Sequence, residues 1–154
     1  MTSETLLAAD VARGVARLLW YRGIAAQQEV TLPDGHRADL LGIARDGTIW
    51  CVEIKVSAAD LRQDGKWQAY RAYSDHFCWA VPEALAPLLQ DSCFAPDACG
   101  LIIADRHEAC LMRAPLPAPL APARRRAMTL LLARLGAERL IRLRDPGFEG
   151  LSAF

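Results

Sequence analysis

The chain has 154 residues, 53% hydrophobic and 23% charged, a balance that suits one compact domain over residues 1–154 with a sizeable core. Basic and acidic side chains cancel at 18 each, which by itself speaks against a uniformly basic nucleic-acid-binding surface. With Glu4, Asp10, Arg13 and Arg17 near the start no signal peptide is visible, and no apolar run is long enough to cross a bilayer, so a soluble cytoplasmic protein with no membrane partner is expected.

Leu7, Val11, Val15, Leu18 and Leu19 recur at helical spacing and predict a first helix over residues 3–22, ended by Gly23. A strand over about 26–32 runs into the turn Pro33-Asp34-Gly35, and a second strand covers about 36–44. Arg45-Asp46-Gly47 turns the chain into a third strand, Ile49 to Lys55, so the three form an antiparallel meander. Ser57-Ala58-Ala59-Asp60 has the form of a helix cap, and the helical stretch reaches about Tyr73 with a break or second cap at Asp64-Gly65. His76 to Val81 reads as a fourth strand, followed by a short helix from Pro82 to Leu89 and a loop over 91–99. Gly100 to Ala104 is a strand buried on both faces, with 109–113 beside it. Prolines at 115, 117, 119 and 122 make an extended connector to a basic amphipathic helix over about 121–136, with Met128, Leu131, Leu132 and Leu135 on one face. The order predicts an α/β fold with a mixed sheet flanked by helices.

Charge and cysteine usage are both uneven. Residues 121–144 hold seven arginines against one acid, Glu138, and the whole chain has only two lysines, Lys55 and Lys66. The five cysteines form no C-x-x-C pair, which suits reduced thiols. Cys93, Cys99, His107 and Cys110 supply zinc-type ligands without a compact spacing, so zinc is not expected.

The residues that carry chemistry are Asp39 and, fourteen positions on, Glu53-Ile54-Lys55. Alternation puts Glu53 and Lys55 on one face of their strand, with Trp50, Val52 and Ile54 on the other. A three-residue loop over 45–47 pairs residue 44 with 48 and hence 39 with 53, whereas a two-residue loop turns Asp39 to the wrong face. Two facing carboxylates repel unless a cation lies between them, and Mg²⁺ or Mn²⁺ is the natural choice for oxygen ligands. Such an ion would polarise a phosphoryl oxygen and activate water for phosphodiester hydrolysis, with Lys55 positioning that water or stabilising negative charge. Taken alone, the spacing is more simply met by an exposed Asp39 and a solvated Glu53–Lys55 pair worth about 0–1 kcal/mol. Lys66 and Tyr70 share a helix face that points to a phosphate or to the site. Trp67 offers base stacking, or core packing as the plainer alternative. Arg124, Arg125 and Arg126 oppose the helix macrodipole at the start of the last helix, so DNA backbone contact, or acidic partners elsewhere in the fold, should offset them. His36, three residues before Asp39, falls on the opposite face by alternation and is left out of the chemistry; His76 reads as structural.

Helix, three-strand meander, helix and strand, with Asp39 in the second strand and Glu53-Ile54-Lys55 in the third, resembles the αβββαβ restriction-endonuclease-like core of the PD-(D/E)XK nuclease superfamily. Arg37-Ala38-Asp39-Leu40, Val52-Glu53-Ile54-Lys55, Asp64-Gly65-Lys66-Trp67, Asp75-His76-Phe77, Ala80-Val81-Pro82, Cys99-Gly100-Leu101-Ile102 and Ala123-Arg124-Arg125-Arg126-Ala127 resemble specifically the MmcB-type DNA repair proteins. The resemblance spans about residues 10–135. It implies a role in DNA repair, with DNA and other repair proteins as partners. It also implies a metal-dependent nuclease site with Asp39 and Glu53 as metal ligands, the Ile54 carbonyl as a third, and Lys55 as the catalytic amine. Ala38 stands where the superfamily often has proline. The glutamate that many members carry in the first helix is absent, leaving Asp10 or Glu29 as the candidates for a further ligand. A non-catalytic DNA-binding or adaptor module of the same fold is the alternative.

Overall fold

The computed structural model describes residues 5–148. Helix α1 (Ala8–Tyr21) leads into strands β1 (Ile24–Thr31), β2 (Arg37–Ala44) and β3 (Ile49–Ile54). Two short helices follow, α2 (Ala58–Gln63) and α3 (Trp67–Arg71), then β4 (His76–Val81), a 3₁₀ helix (Glu83–Gln90), a 3₁₀ turn (Ser92–Phe94), β5 (Gly100–Ala104), β6 (Ala109–Arg113) and the long helix α4 (Pro122–Arg144). The six strands form one sheet in sequence order. β1, β2 and β3 are antiparallel, β3, β4 and β5 run parallel, and β6 returns antiparallel to β5. This is the mixed α/β sheet and αβββαβ order that the sequence predicts.

The hairpin between β2 and β3 closes as the three-residue loop requires. The Ala44 N–H donates to the Thr48 carbonyl at 2.9 Å, and Gly47 takes the left-handed φ of 85° that ends such a loop. The ladder then pairs Leu41 with Cys51 and Leu40 with Val52, so the next residues in register are Asp39 and Glu53.

Strand alternation divides the core in two. Leu40, Val52, Ile54, Cys78, Ala80 and Ile102 pack under α1, through its Val11, Val15 and Leu19. On the other face Cys51, Phe77, Trp79 and Val81 meet Trp67 and Tyr70 of α3 and Met128 and Leu132 of α4. Parallel pairing of β3 with β4 requires a crossover, and α2 with α3 provides it on this second face. Trp79 is fully buried, with its indole N–H on the Phe94 carbonyl at 3.2 Å, so its polar atom is satisfied while the ring supplies contact area.

Four expected boundaries differ. Residues 3 and 4 of the expected first helix lie outside the described residues, and the described helix starts at Ala8. Pro87 inside Glu83–Gln90 lacks the N–H an α-helix needs, and the segment is 3₁₀. The expected loop over 91–99 holds a 3₁₀ turn. Finally, α4 runs eight residues past 136, through Gly136, where helix-forming residues 137–144 carry a Glu138–Arg142 i,i+4 pair and Arg139 anchors the helix to β1. No helix among the described residues is long and apolar enough to cross a membrane, and all five cysteines are free thiols.

Candidate functional site

Beyond the Leu40–Val52 pair the two strands part. The Asp39 carboxylate takes the place of a ladder carbonyl by accepting the Ile54 N–H at 2.7 Å. That bond fixes the carboxylate against the end of β3. Glu53, 4% exposed, lies beside it, and Lys55 follows on the same face. All three line one cleft of about 510 Å³ between the ends of β2 and β3 and the α2–α3 segment.

Glu53 is held well above the ordinary glutamate range, first by burial and then by its hydrogen bond and charge contact with Asp39; Lys55 and Tyr70 pull the other way without overcoming them. Glu53 therefore keeps its proton when nothing positive lies between it and Asp39. Burial disfavours the Lys55 ammonium, but its ion pair with Asp64 and the charges of Glu53 and Asp39 outweigh that, and its pKa is raised. Lys55 stays charged, and its Nζ sits 2.9 Å from Asp64 Oδ2. A charged amine cannot act as a base, but it can donate to a water or stabilise negative charge, so its charge is compatible with both expected roles.

Asp64 is the residue that sequence reasoning passed over. Read as a helix break or second cap, it serves as the latter, Oδ1 accepting the Lys66 and Trp67 N–H groups at 2.8 and 3.0 Å at the start of α3, while Oδ2 grips Lys55, a role the sequence did not suggest. Its side chain is only 4% exposed. The available signal was the capping pattern itself, an Asp whose following N–H groups open a helix directly after Glu53-Ile54-Lys55.

Lys66 and Tyr70 both reach the cleft from α3, as their spacing predicts. The Tyr70 hydroxyl donates to the Arg37 carbonyl at 3.1 Å, and its pKa is raised by burial and by Glu53. Trp67 turns inward instead: it is 5% exposed, with its ring centroid 5.8 Å from Phe77 and 5.6 Å from Trp79, so no face is open to a base. His36 corrects the alternation argument. It precedes β2, so the strand rule does not govern it, and it lines the cleft edge-on to Tyr70 with Nδ1 2.8 Å from Asp34.

The two candidates for a further ligand are not in the cleft. Asp10 belongs to α1 on the other face of the sheet, where it pairs with Arg13 at 3.2 Å and Arg106 at 3.7 Å. Glu29 is exposed and in register opposite Asp39, but its φ of 50° breaks the pairing, and its carbonyl accepts from Arg139 at 3.0 Å. The arginine triplet has the acidic partner its position calls for. Arg125 forms an ion pair with the buried Asp75, Arg124 donates to the Ala72 carbonyl at 3.0 Å and lies over the Tyr73 ring, and Arg126 is exposed.

Residues 2–147 match the model of a family described as DNA repair protein MmcB-like. The chain belongs to that family. Among solved structures, the MmcB-like chain is similar to a protein of unknown function from Silicibacter pomeroyi, with 35% identity and a TM-score of 0.85 over 99% of this chain and 100% of that one. A repair endonuclease from Pyrococcus abyssi overlaps it at 19% identity and a TM-score of 0.33, over 51% of this chain and 42% of that one, too slight an overlap to carry an argument. No curated protein matches the chain.

Proposed function

We propose that this MmcB-like chain is a divalent-metal-dependent nuclease of PD-(D/E)XK type that hydrolyses phosphodiester bonds of DNA in repair. The observation that carries the reading is the buried Glu53 carboxyl set beside Asp39 in one cleft, its pKa raised by burial and by that neighbour, with the charged Lys55 on the same face. Burying such a pair is costly unless something positive replaces the proton.

The donor set suits a hard cation. Asp39 and Glu53 supply oxygen, and the Ile54 carbonyl lies on the same strand edge as the N–H that Asp39 accepts. Two carboxylates leave room for Mg²⁺ or Mn²⁺ to keep several waters and to take further oxygens from a phosphate; among the described residues no group of three or more His, Cys, Asp or Glu side chains able to hold a metal occurs. A bound ion would supply Lewis-acid polarisation and a water of lowered pKa. The rest falls to the chain. Asp39 is oriented by the Ile54 N–H, Glu53 gives up its proton, Lys55 holds positive charge where the phosphoryl group gains negative charge, and Lys66 offers a second cation at the rim.

The test is incubation with linear, single-stranded, branched and interstrand-crosslinked DNA in Mg²⁺, Mn²⁺ or EDTA, beside Asp39→Ala and Lys55→Ala variants. Cleavage that needs metal and that both substitutions abolish is the expected result. A second reading, a DNA-binding or adaptor module that does not cut, is favoured by one contact: Asp64 already occupies the Lys55 ammonium. Binding without cleavage in every metal would establish it and refute the nuclease.

A further inference from the structure

The cleft has no excess of positive charge for a polyanion, since Asp39, Asp60 and Asp64 line it beside the raised Glu53 carboxyl and only Arg37, Lys55 and Lys66 are permanent cations. Attraction for nucleic acid has to come from charge outside it, and the course of α4 says which end of that helix supplies it. Its N-terminal arginines stand at the far end of the sheet. Arg125 is held by Asp75, whose N–H donates to the Ile49 carbonyl at the start of β3, four residues or about 13 Å of strand before Glu53. Arg124 is spent on the Ala72 carbonyl and the Tyr73 ring.

From there α4 crosses the sheet to β1. A Cβ on Gly136 would lie 2.9 Å from the Gln27 side-chain nitrogen, so the helix comes close there, and Arg139 clasps the strand through Gln27 Oε1 and the Glu29 carbonyl, both at 3.0 Å. Glu29 is the register partner position of Asp39, so this clasp lies one strand from the carboxylate pair. Past Arg139 the helix continues for five residues, an overhang of about 7 Å. Leu140, Ile141 and Leu143 in it are exposed, and Arg142 pairs only with Glu138, in an exposed i,i+4 contact that a phosphate can readily displace.

We propose that this overhang is a nucleic-acid-binding arm, with Arg142 and Arg144 contacting the phosphate backbone of DNA seated across the cleft. The proposal rests on the nucleic-acid reading of the site and names the surface that confers affinity. It moves that surface from the start of α4 to its end.

Binding of a labelled duplex and a labelled single strand, measured by fluorescence anisotropy over a range of salt, tests it with wild type, Arg142→Gln/Arg144→Gln and Arg124→Gln/Arg126→Gln, each checked for folding by thermal melting. The first pair should flatten the duplex salt slope by about 1.8, two phosphate contacts at about 0.9 each, and the second pair should leave it unchanged. An unchanged slope in the first pair, or equal loss in both, overturns the arm. Should the slope stay unchanged while Leu143→Ser abolishes self-association, the overhang belongs to a protein interface and the arm is again overturned. Wild type that binds no nucleic acid at low salt would defeat the proposed function itself, an outcome distinct from failure of the arginine pair alone.

Discussion

Asp64 joins a structural duty to an electrostatic one through its two oxygens. Asp64→Ala removes the cap of α3 and the partner of Lys55 together, and should cost about 1–2 kcal/mol in urea unfolding. Asp64→Asn keeps an oxygen for the Lys66 and Trp67 N–H groups and should recover most of that loss while leaving Lys55 without its counter-charge. Equal stability of the two variants would mean that the cap carries nothing. Glu53 makes a prediction of opposite character, because its carboxyl is raised from the ordinary value of 4.5. Above that value the unfolded chain has released a proton that the folded one keeps, so stability must fall as pH rises towards the folded pKa. Metal-free wild type should lose up to about 1.4 kcal/mol per pH unit between about pH 5 and pH 7 relative to Glu53→Gln, in denaturant titrations. Parallel profiles for the two proteins would mean that folded Glu53 holds no extra proton.

At the scale of elements, α4 is pinned at two places with different chemistry. Near its start Arg125 reaches Asp75, which is 2% exposed and also accepts the Ile49 and Leu120 N–H groups at 2.7 and 2.8 Å. Burial pushes this carboxyl up, but the Arg125 pair and those two N–H groups win and hold it at about 2. A depressed carboxyl contributes stability that is complete above its unfolded value near 3.8 and is lost as pH falls through about 2. The shift corresponds to about 2 kcal/mol. Arg125→Ala, which leaves Asp75 buried with two N–H partners and no cation, should cost about 2–3 kcal/mol by chemical denaturation and shift acid unfolding to higher pH. A variant as stable as wild type would show that the ion pair only offsets its own desolvation.

Across the whole molecule, the sheet separates two cores and leaves the cleft where β2 and β3 part. The sequence made that much readable because register is local: a three-residue loop ending in Gly47 fixes which face Asp39 takes, and alternation fixes Glu53 and Lys55. What escaped it depended on contacts between distant segments. Glu29 has the right register for a third carboxylate, yet a helix more than a hundred residues later holds its carbonyl in a left-handed turn. The clasp lies in the extension of α4 past 136, which the helix-forming residues 137–144 and the Glu138–Arg142 i,i+4 pair also favour, a signal the expected end at 136 left unused. His36 reaches the cleft because its turn precedes the strand, where alternation does not apply. The triplet at 124–126 is legible as electrostatically awkward, but only the fold reveals that Asp75 answers it.

One quantity tests the paired carboxylates most directly: Mn²⁺ binding to the DNA-free protein, followed by electron paramagnetic resonance, for wild type and Asp39→Asn at neutral pH. The account predicts that wild type takes up one ion per chain, more tightly as pH rises because Glu53 must release its proton, and that Asp39→Asn leaves the free-ion signal undiminished. Equal uptake by the two proteins, or none by wild type, would contradict it.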